Sequence, residues 1–332
     1  MSSSEILRRA RVCEAAQEQY RVRFAENGED CPALPAGALR WKAELPAVGD
    51  WVRARRVDAD LALIESVEAR TTCISRQRAG GDGGEQVLAA NVDRILIVMG
   101  LDGDYNLRRL ERYLVLAAAS GTVALVVLNK RDMCADWPAR LAAVQAVSAG
   151  VACLAISAHE SVTEVAAAVY GQTVALLGSS GAGKSTIANA LVGEAWQSTQ
   201  PVRASDSRGR HTTTRRSLVE LPGGGALIDT PGMRELALWA GEDSVEEAFG
   251  DIAELASRCR FPDCTHGVEP GCAVAAALDS GAIGAARWAS YLKLLAEARY
   301  HERAANKSAA AAEKRKWKTI HKAMRDHPKY RR

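Results

Sequence analysis

Three short loop motifs run along this chain in an unusual order, and that order constrains the fold more than any other feature. Asn129-Lys130-Arg131-Asp132 comes first, the glycine-rich loop GSSGAGKS at 178–185 second, and Asp229-Thr230-Pro231-Gly232 last. Each follows or ends an apolar, strand-like run: 122–128 (TVALVVL), 173–177 (TVALL) and 226–229 (ALID). Loops that end the strands of an open α/β sheet gather along its carboxyl edge. The usual order puts the phosphate loop first and the Asn-Lys-x-Asp segment late. Here one shared site requires a chain that enters the sheet midway, a circular permutation.

The surrounding pattern supports such a sheet. The runs 94–99 (RILIVM), 122–128, 151–156 and 173–177 are continuously apolar, and helical patterns at 107–119, 138–149 and 162–170 separate them. Strands this apolar, alternating with helices, predict a mainly parallel sheet covered on both faces. Further strands are expected at 217–221 and 226–229, around the turn at 222–225. Short strand-like runs at 49–54, 61–64 and 72–75, separated by turn residues, suit a small β-barrel. Residues 1–35 read as partly helical and then irregular, with Pro32 and Pro35 as breakers, and the glycine run 80–84 reads as a linker or loop. The expected division is an N-terminal extension (1–35), a barrel (36–88), a permuted α/β domain that carries the three motifs (89–240) and a helical C-terminal domain (241–332).

The loop Gly178-Ser179-Ser180-Gly181-Ala182-Gly183-Lys184-Ser185, with Thr186 opening the helix after it, has the strand–loop–helix setting of a phosphate cradle. Its glycines let several amides converge on phosphate oxygens, and the helix start adds its positive end. Lys184 neutralises β and γ oxygens, and Ser185 completes a Mg²⁺ shell. By itself this loop indicates a nucleoside triphosphate and leaves the base undecided. The base is read by Asn129-Lys130-x-Asp132: the Asp132 carboxylate accepts from guanine's N1–H and amino group, where adenine offers no N1 proton. Asn129 bonds the purine's other edge and braces the phosphate loop, while the stem of Lys130 covers the ring. Ser157-Ala158, ending the next strand, places the Ala158 amide to donate to guanine O6.

Asp229 holds Mg²⁺ through water and the Gly232 amide senses the γ-phosphate. The next residue is Met233, whose thioether cannot orient a water, so intrinsic hydrolysis is expected to be slow. The segment Gly209-Arg210-His211-Thr212-Thr213-Thr214 lies where a first switch belongs. Thr213 is the candidate to close over Mg²⁺. His211 is either the group that orients the attacking water or a solvent-exposed loop histidine.

Cys259-x4-Cys264-x-His266-x5-Cys272 offers three thiolates and an imidazole, a set suited to closed, tetrahedral Zn²⁺. A redox cluster and free buried thiols are the alternatives. The formal net charge of +3 conceals an asymmetry: 307–332 carries ten Lys/Arg and two acids, so residues 1–306 are net −5. A basic tail with Trp317 and Tyr330 for stacking suits nucleic acid, and a merely solvated helix is the plainer reading. No stretch of about 18 apolar residues argues for a membrane span, and the polar N-terminus lacks a secretion signal's apolar core, so a cytoplasmic protein is expected.

Together, Asn129-Lys-Arg-Asp132, GSSGAGKS, GRHTTT at 209–214, DTPG at 229–232, the Cys259/Cys264/His266/Cys272 set and Ala90-Asn91-Val92-Asp93 resemble the RsgA family of bacterial, circularly permuted GTPases over about 44–332. The resemblance implies an oligonucleotide-binding (OB) barrel, a permuted GTPase domain and a zinc domain. It further implies binding of the small ribosomal subunit and its rRNA late in maturation, hydrolysis stimulated by that subunit, and release afterwards. A monomer without membrane contact is expected. Two other classes compete: a GTP-gated RNA-binding module with incidental hydrolysis, which Met233 favours, and a P-loop ATPase or kinase, which Asn129 and Asp132 oppose.

Overall fold

The structure, a computed structural model, describes residues 6–16, 18–42, 44–77, 85–148, 150–193, 216–229, 240–266 and 269–303. Its N-terminal unit is a five-stranded barrel of β1 (Arg8–Ala16), β2 (Gln19–Phe24), β3 (Asp30–Pro35), β4 (Trp51–Arg56) and β5 (Ala62–Val67), with α1 (Gly37–Lys42) between β3 and β4. The strands pair in the order β1-β2-β3-β5-β4 and close through β1–β4, with β3 and β5 parallel. This is the Greek-key closure of an OB-type barrel. Alternation builds it: Ala10 and Val12, Tyr20, Val22 and Phe24, Cys31 and Ala33, Val52 and Ala54, and Ala62 and Ile64 face one core while their neighbours face out.

That arrangement corrects the reading of 1–35 as an extension. Three of the five barrel strands lie there, and Pro32 and Pro35 sit within β3. The residues of β1 and β2 include good helix formers, but period-two burial against partners distant in sequence outweighs local propensity. The barrel also ends earlier than expected, at Val67. The hairpin of β6 (Cys73–Gln77) and β7 (Glu85–Ala90) forms a separate two-stranded sheet. The glycine run 80–84 and the basic tail, 304–332, lie outside the described residues.

The second sheet has the order β10-β9-β8-β11-β13-β12, built from β8 (Arg94–Gly100), β9 (Val123–Asn129), β10 (Ala152–Ala155), β11 (Thr173–Leu177), β12 (Arg216–Glu220) and β13 (Ala226–Asp229). All neighbours are parallel except the β12–β13 hairpin. The segment entering β8 pins it to β11: Asp93 N donates to Thr173 O at 2.8 Å, and Thr173 N to Asp93 Oδ2 at 2.7 Å. β1 stitches barrel to sheet. A bulge between Val12 and Glu14 lets its far end pair with β12, and turns Cys13 out of the barrel core into the core beneath the sheet.

The helices α2 (Leu107–Ala119), α3 (Trp137–Val147), α4 (Thr163–Ala168) and α5 (Lys184–Val192) are the crossovers of the parallel strands. In α2, Asn106 caps the first turn by accepting from Arg109 N at 3.1 Å, and Leu110, Tyr113, Leu114 and Ala117 line the buried face at helical spacing. The C-terminal helices α6 (Glu242–Ala248), α7 (Gly250–Ser257), α8 (Ala273–Asp279) and α9 (285–303) bury Val245, Phe249, Ile252 and Leu294 in the same core as α2 and one sheet face. Among the described residues they form no separate core cluster of their own. Among the described residues no helix is long and apolar enough to cross a membrane.

Candidate functional site

Five parallel strands end on one edge, so the loops after β8, β9, β10, β11 and β13 converge there. The centre of the convergence is Asn129, the last residue of β9 and only 3% exposed. Its Nδ2 donates to Ala182 O at 3.0 Å, inside the glycine-rich loop, and its Oδ1 accepts from Ala158 N at 3.0 Å. One carboxamide thus ties together the ends of β9, β10 and β11, segments scattered along the chain. The Ala158 amide, expected to point at a base, is engaged by Asn129 instead, while the neighbouring Ser157 hydroxyl is buried and finds no protein partner among the described residues.

The glycine-rich loop keeps its predicted form. Gly178, Gly181 and Gly183 all have positive φ. At Gly183 the requirement is also spatial, because a Cβ would lie 2.0 Å from Asn129 Nδ2. Gly183 starts α5, and Lys184 Nζ turns back to donate to Gly178 O at 2.7 Å and to Ser179 O. Ser180, Gly181, Ser185 and Thr186 complete the loop and first turn. Lys130 takes a left-handed conformation (φ 66°) that turns the chain into a 3₁₀ turn, Arg131–Met133. The turn is pinned by Arg131 N donating to Ile156 O at 3.0 Å, and it leaves Asp132 exposed. Asp229 ends β13 on the same edge. Thr213, His211, Gly232 and Met233 lie outside the described residues.

Sequence reasoning missed the loop after β8. Asp104 accepts from the Ser179 hydroxyl and the Arg109 guanidinium, and from Gly100 N at 3.0 Å, while Asp102 accepts from Lys130 Nζ at 2.6 Å. The available signal was position alone: acids just past the carboxyl end of an apolar strand.

A second cluster lies between α7 and α8. Cys259, Cys264, His266 and Cys272 present ligand atoms within 4.8 Å of one another, a group able to hold a metal ion. Cys259 Sγ lies 3.5 Å from His266 Nδ1 and 3.9 Å from Cys272 Sγ, and Cys272 Sγ lies 3.6 Å from His266 Nδ1. Ligands about 2.3 Å (S) and about 2.0 Å (N) from a tetrahedral centre stand about 3.5–3.8 Å apart, so Cys259, His266 and Cys272 already stand close to that spacing. Burial raises the Cys259 thiol, yet bonds from the Ala273 and Val274 amides and from the Cys272 and Cys264 thiols together leave it below its ordinary value. These amides belong to the start of α8, which Cys272 caps by accepting from Ala275 N at 3.3 Å.

The fold and the first site define a class: a circularly permuted P-loop GTPase carrying an OB-type barrel and a cysteine–histidine cluster. Two solved structures share the fold. The crystal structure of YjeQ from Thermotoga maritima is similar with a TM-score of 0.68 at 24% identity, covering 88% of this chain and 99% of that one. YloQ, described as a circularly permuted GTPase, gives 0.65 at 21% identity, covering 90% and 97%. Residues 67–239 match the family model described as RsgA GTPase. A relative from Opitutus terrae is 48% identical over 297 residues, covering 86% of this chain and 81% of its own length. One from Leptospira interrogans is 42% identical over 316 residues, covering 93% and 88%, and both are named small ribosomal subunit biogenesis GTPase RsgA. The chain belongs to the RsgA GTPase family and is a GTP hydrolase.

Proposed function

We propose that this GTPase acts in the cytoplasm as a monomeric, late-stage assembly factor of the small ribosomal subunit, binding its rRNA with GTP and leaving after hydrolysis. The names of its relatives support the ribosomal part. The single observation that carries the nucleotide site is the Asn129 carboxamide, which bridges the glycine-rich loop and the Ser157-Ala158 turn. In this reading Asp132 reads the guanine edge, Lys130 covers the ring, and the orphaned Ser157 hydroxyl gains a partner from the base or its water. The amides of 178–186 hold the phosphates. A phosphate oxygen near Lys184 offers its ammonium an anionic acceptor in place of the carbonyls of Gly178 and Ser179, a stronger, charge-assisted bond.

Ser185, Thr213 and Asp229 are the residues to hold Mg²⁺, which neutralises charge gathering on the β and γ oxygens. His211 orients the water that attacks the γ-phosphorus, a role that Met233 cannot fill, and Gly232 senses the γ-phosphate. The four-donor cluster takes structural Zn²⁺: three sulfurs and one nitrogen leave no open position for a reacting group.

Replacing Asn129 by Ala will weaken GDP and GTP binding about 100-fold, because two backbone groups lose their buried partner and each costs about 1–3 kcal/mol. Calorimetric titration checks it, and parental affinity would sink the placement of the site. For the function, GTP and ATP turnover with and without purified small subunits is decisive. Stimulation specific to GTP is expected, and His211→Ala should remove about 100-fold of the stimulated rate. GTP binding without stimulation would instead favour a GTP-gated RNA-binding module, and ATP turnover a different base specificity.

A further inference from the structure

The loop after β8 faces both ends of the site just described. Asp102 Oδ2 accepts from Lys130 Nζ at 2.6 Å, and its other oxygen accepts from Asp104 N at 3.1 Å. Asp104 in turn takes the Ser179 hydroxyl of the glycine-rich loop, the Arg109 guanidinium and Gly100 N. The loop is packed tightly on the strand end, since a Cβ at Gly100 would lie 2.5 Å from Asp102 Oδ1. A continuous chain of bonds therefore runs from Lys130, through Asp102 and Asp104, to Ser179.

Lys130 needs such a partner. Its backbone is held left-handed, and its four-carbon stem would otherwise sample many rotamers. We infer that Asp102 is a positioning residue for guanine-nucleotide binding, acting through Lys130 by fixing its stem in the orientation that covers the purine. This rests on the nucleotide reading proposed above. Ordering the side chain before the ligand arrives reduces the entropy lost on binding.

The sign of the effect separates this inference from plain electrostatics. Asp102 places a negative charge on the edge that receives a polyanion, so charge alone predicts that removing it tightens GDP and GTP. Positioning predicts the reverse.

The test is a double-mutant cycle in the full chain, with GDP and GTP affinities measured by calorimetry for the parent, Asp102→Ala, Lys130→Ala and the double variant. Asp102→Ala is expected to weaken both nucleotides about tenfold, the size of one bond to a charged group. In the Lys130→Ala background the same change should weaken them no further. Asp102→Asn, which keeps the shape and an acceptor but loses the carboxylate's charge, should fall between parent and Asp102→Ala. It also serves if the alanine variant folds poorly. A merely structural role would cost the same in both backgrounds and would overturn the inference, as would unchanged or tighter binding by Asp102→Ala. If Lys130→Ala alone leaves affinity at the parental level, the nucleotide reading itself has failed.

Discussion

With the cluster holding zinc as proposed, chelation, or Cys272→Ala, will unfold the segment between α7 and α8 while the sheet remains intact. Along 258–272, Cys272 is the single buried position among the described residues, and Phe261 is 40% exposed. Its backbone is held by a few turn bonds: Arg260 N to Gly271 O at 3.2 Å, Cys264 N to Phe261 O at 3.3 Å and Cys272 N to Glu269 O at 3.3 Å. Among the described residues little apolar burial holds this loop in place, so in the zinc reading proposed above the coordination bonds carry it. Structural zinc of this kind contributes on the order of 10 kcal/mol to local folding. Hydrogen exchange should show 258–272 losing protection first. Trp288, edge-on to His266 with ring centroids 5.9 Å apart, should report the loss by fluorescence. Absence of stoichiometric zinc in the reduced protein, or exchange indifferent to a chelator, would overturn this.

The second large effect concerns Arg287, on α9 and 7% exposed. It donates to Glu111 Oε1 at 3.0 Å and Val147 O at 3.3 Å, and grips Asp251 with bonds of 2.7 and 2.6 Å while covering the Phe249 ring at 4.7 Å. Glu111 is 1% exposed and is also held by Arg108, at 2.6 and 2.7 Å. One guanidinium thus joins α2, α3, α7 and α9. Arg287→Ala should destabilise the protein by about 2–3 kcal/mol: Glu111 keeps Arg108 but loses one of its two cations, and Val147 O and Asp251 lose theirs. Replacing both groups by apolar residues, Glu111→Leu with Arg287→Met, should cost much less, because no charge then stays buried. Urea unfolding followed by far-UV circular dichroism measures both. A cost below about 1 kcal/mol for Arg287→Ala would show the network to be incidental.

The C-terminal helices share a core with α2, the helix whose preceding loop carries Asp102 and Asp104. The shared core packs the C-terminal helices against the helix that follows this nucleotide-site loop.

What could be read in advance follows a physical rule. Strand β11 (Thr173–Leu177) and helix α2 (Leu107–Ala119) fall where the sequence predicts them, because a fully apolar run and a capped, 3.6-period stripe are local signals. The metal cluster was legible for the same reason: its four donors lie within one short segment. The barrel's first strands were not. In Arg8–Ala16 and Gln19–Phe24 the period-two pattern is short, interrupted by a bulge at Cys13, and set among residues that favour helices.

The amino-acid sequence alone determined the permuted order of the motifs, and with it the class of site, because phosphate and base recognition depend on residue types at fixed spacings. Tertiary structure alone decided which groups meet: Asn129 with Ala182 and Ala158, Asp102 with Lys130, Arg287 with Glu111, and β1 with β12. Those partners are distant along the chain or lie on loops without periodicity. Their contacts arise only when parallel strands bring their carboxyl ends to one edge and the helices close over a common core.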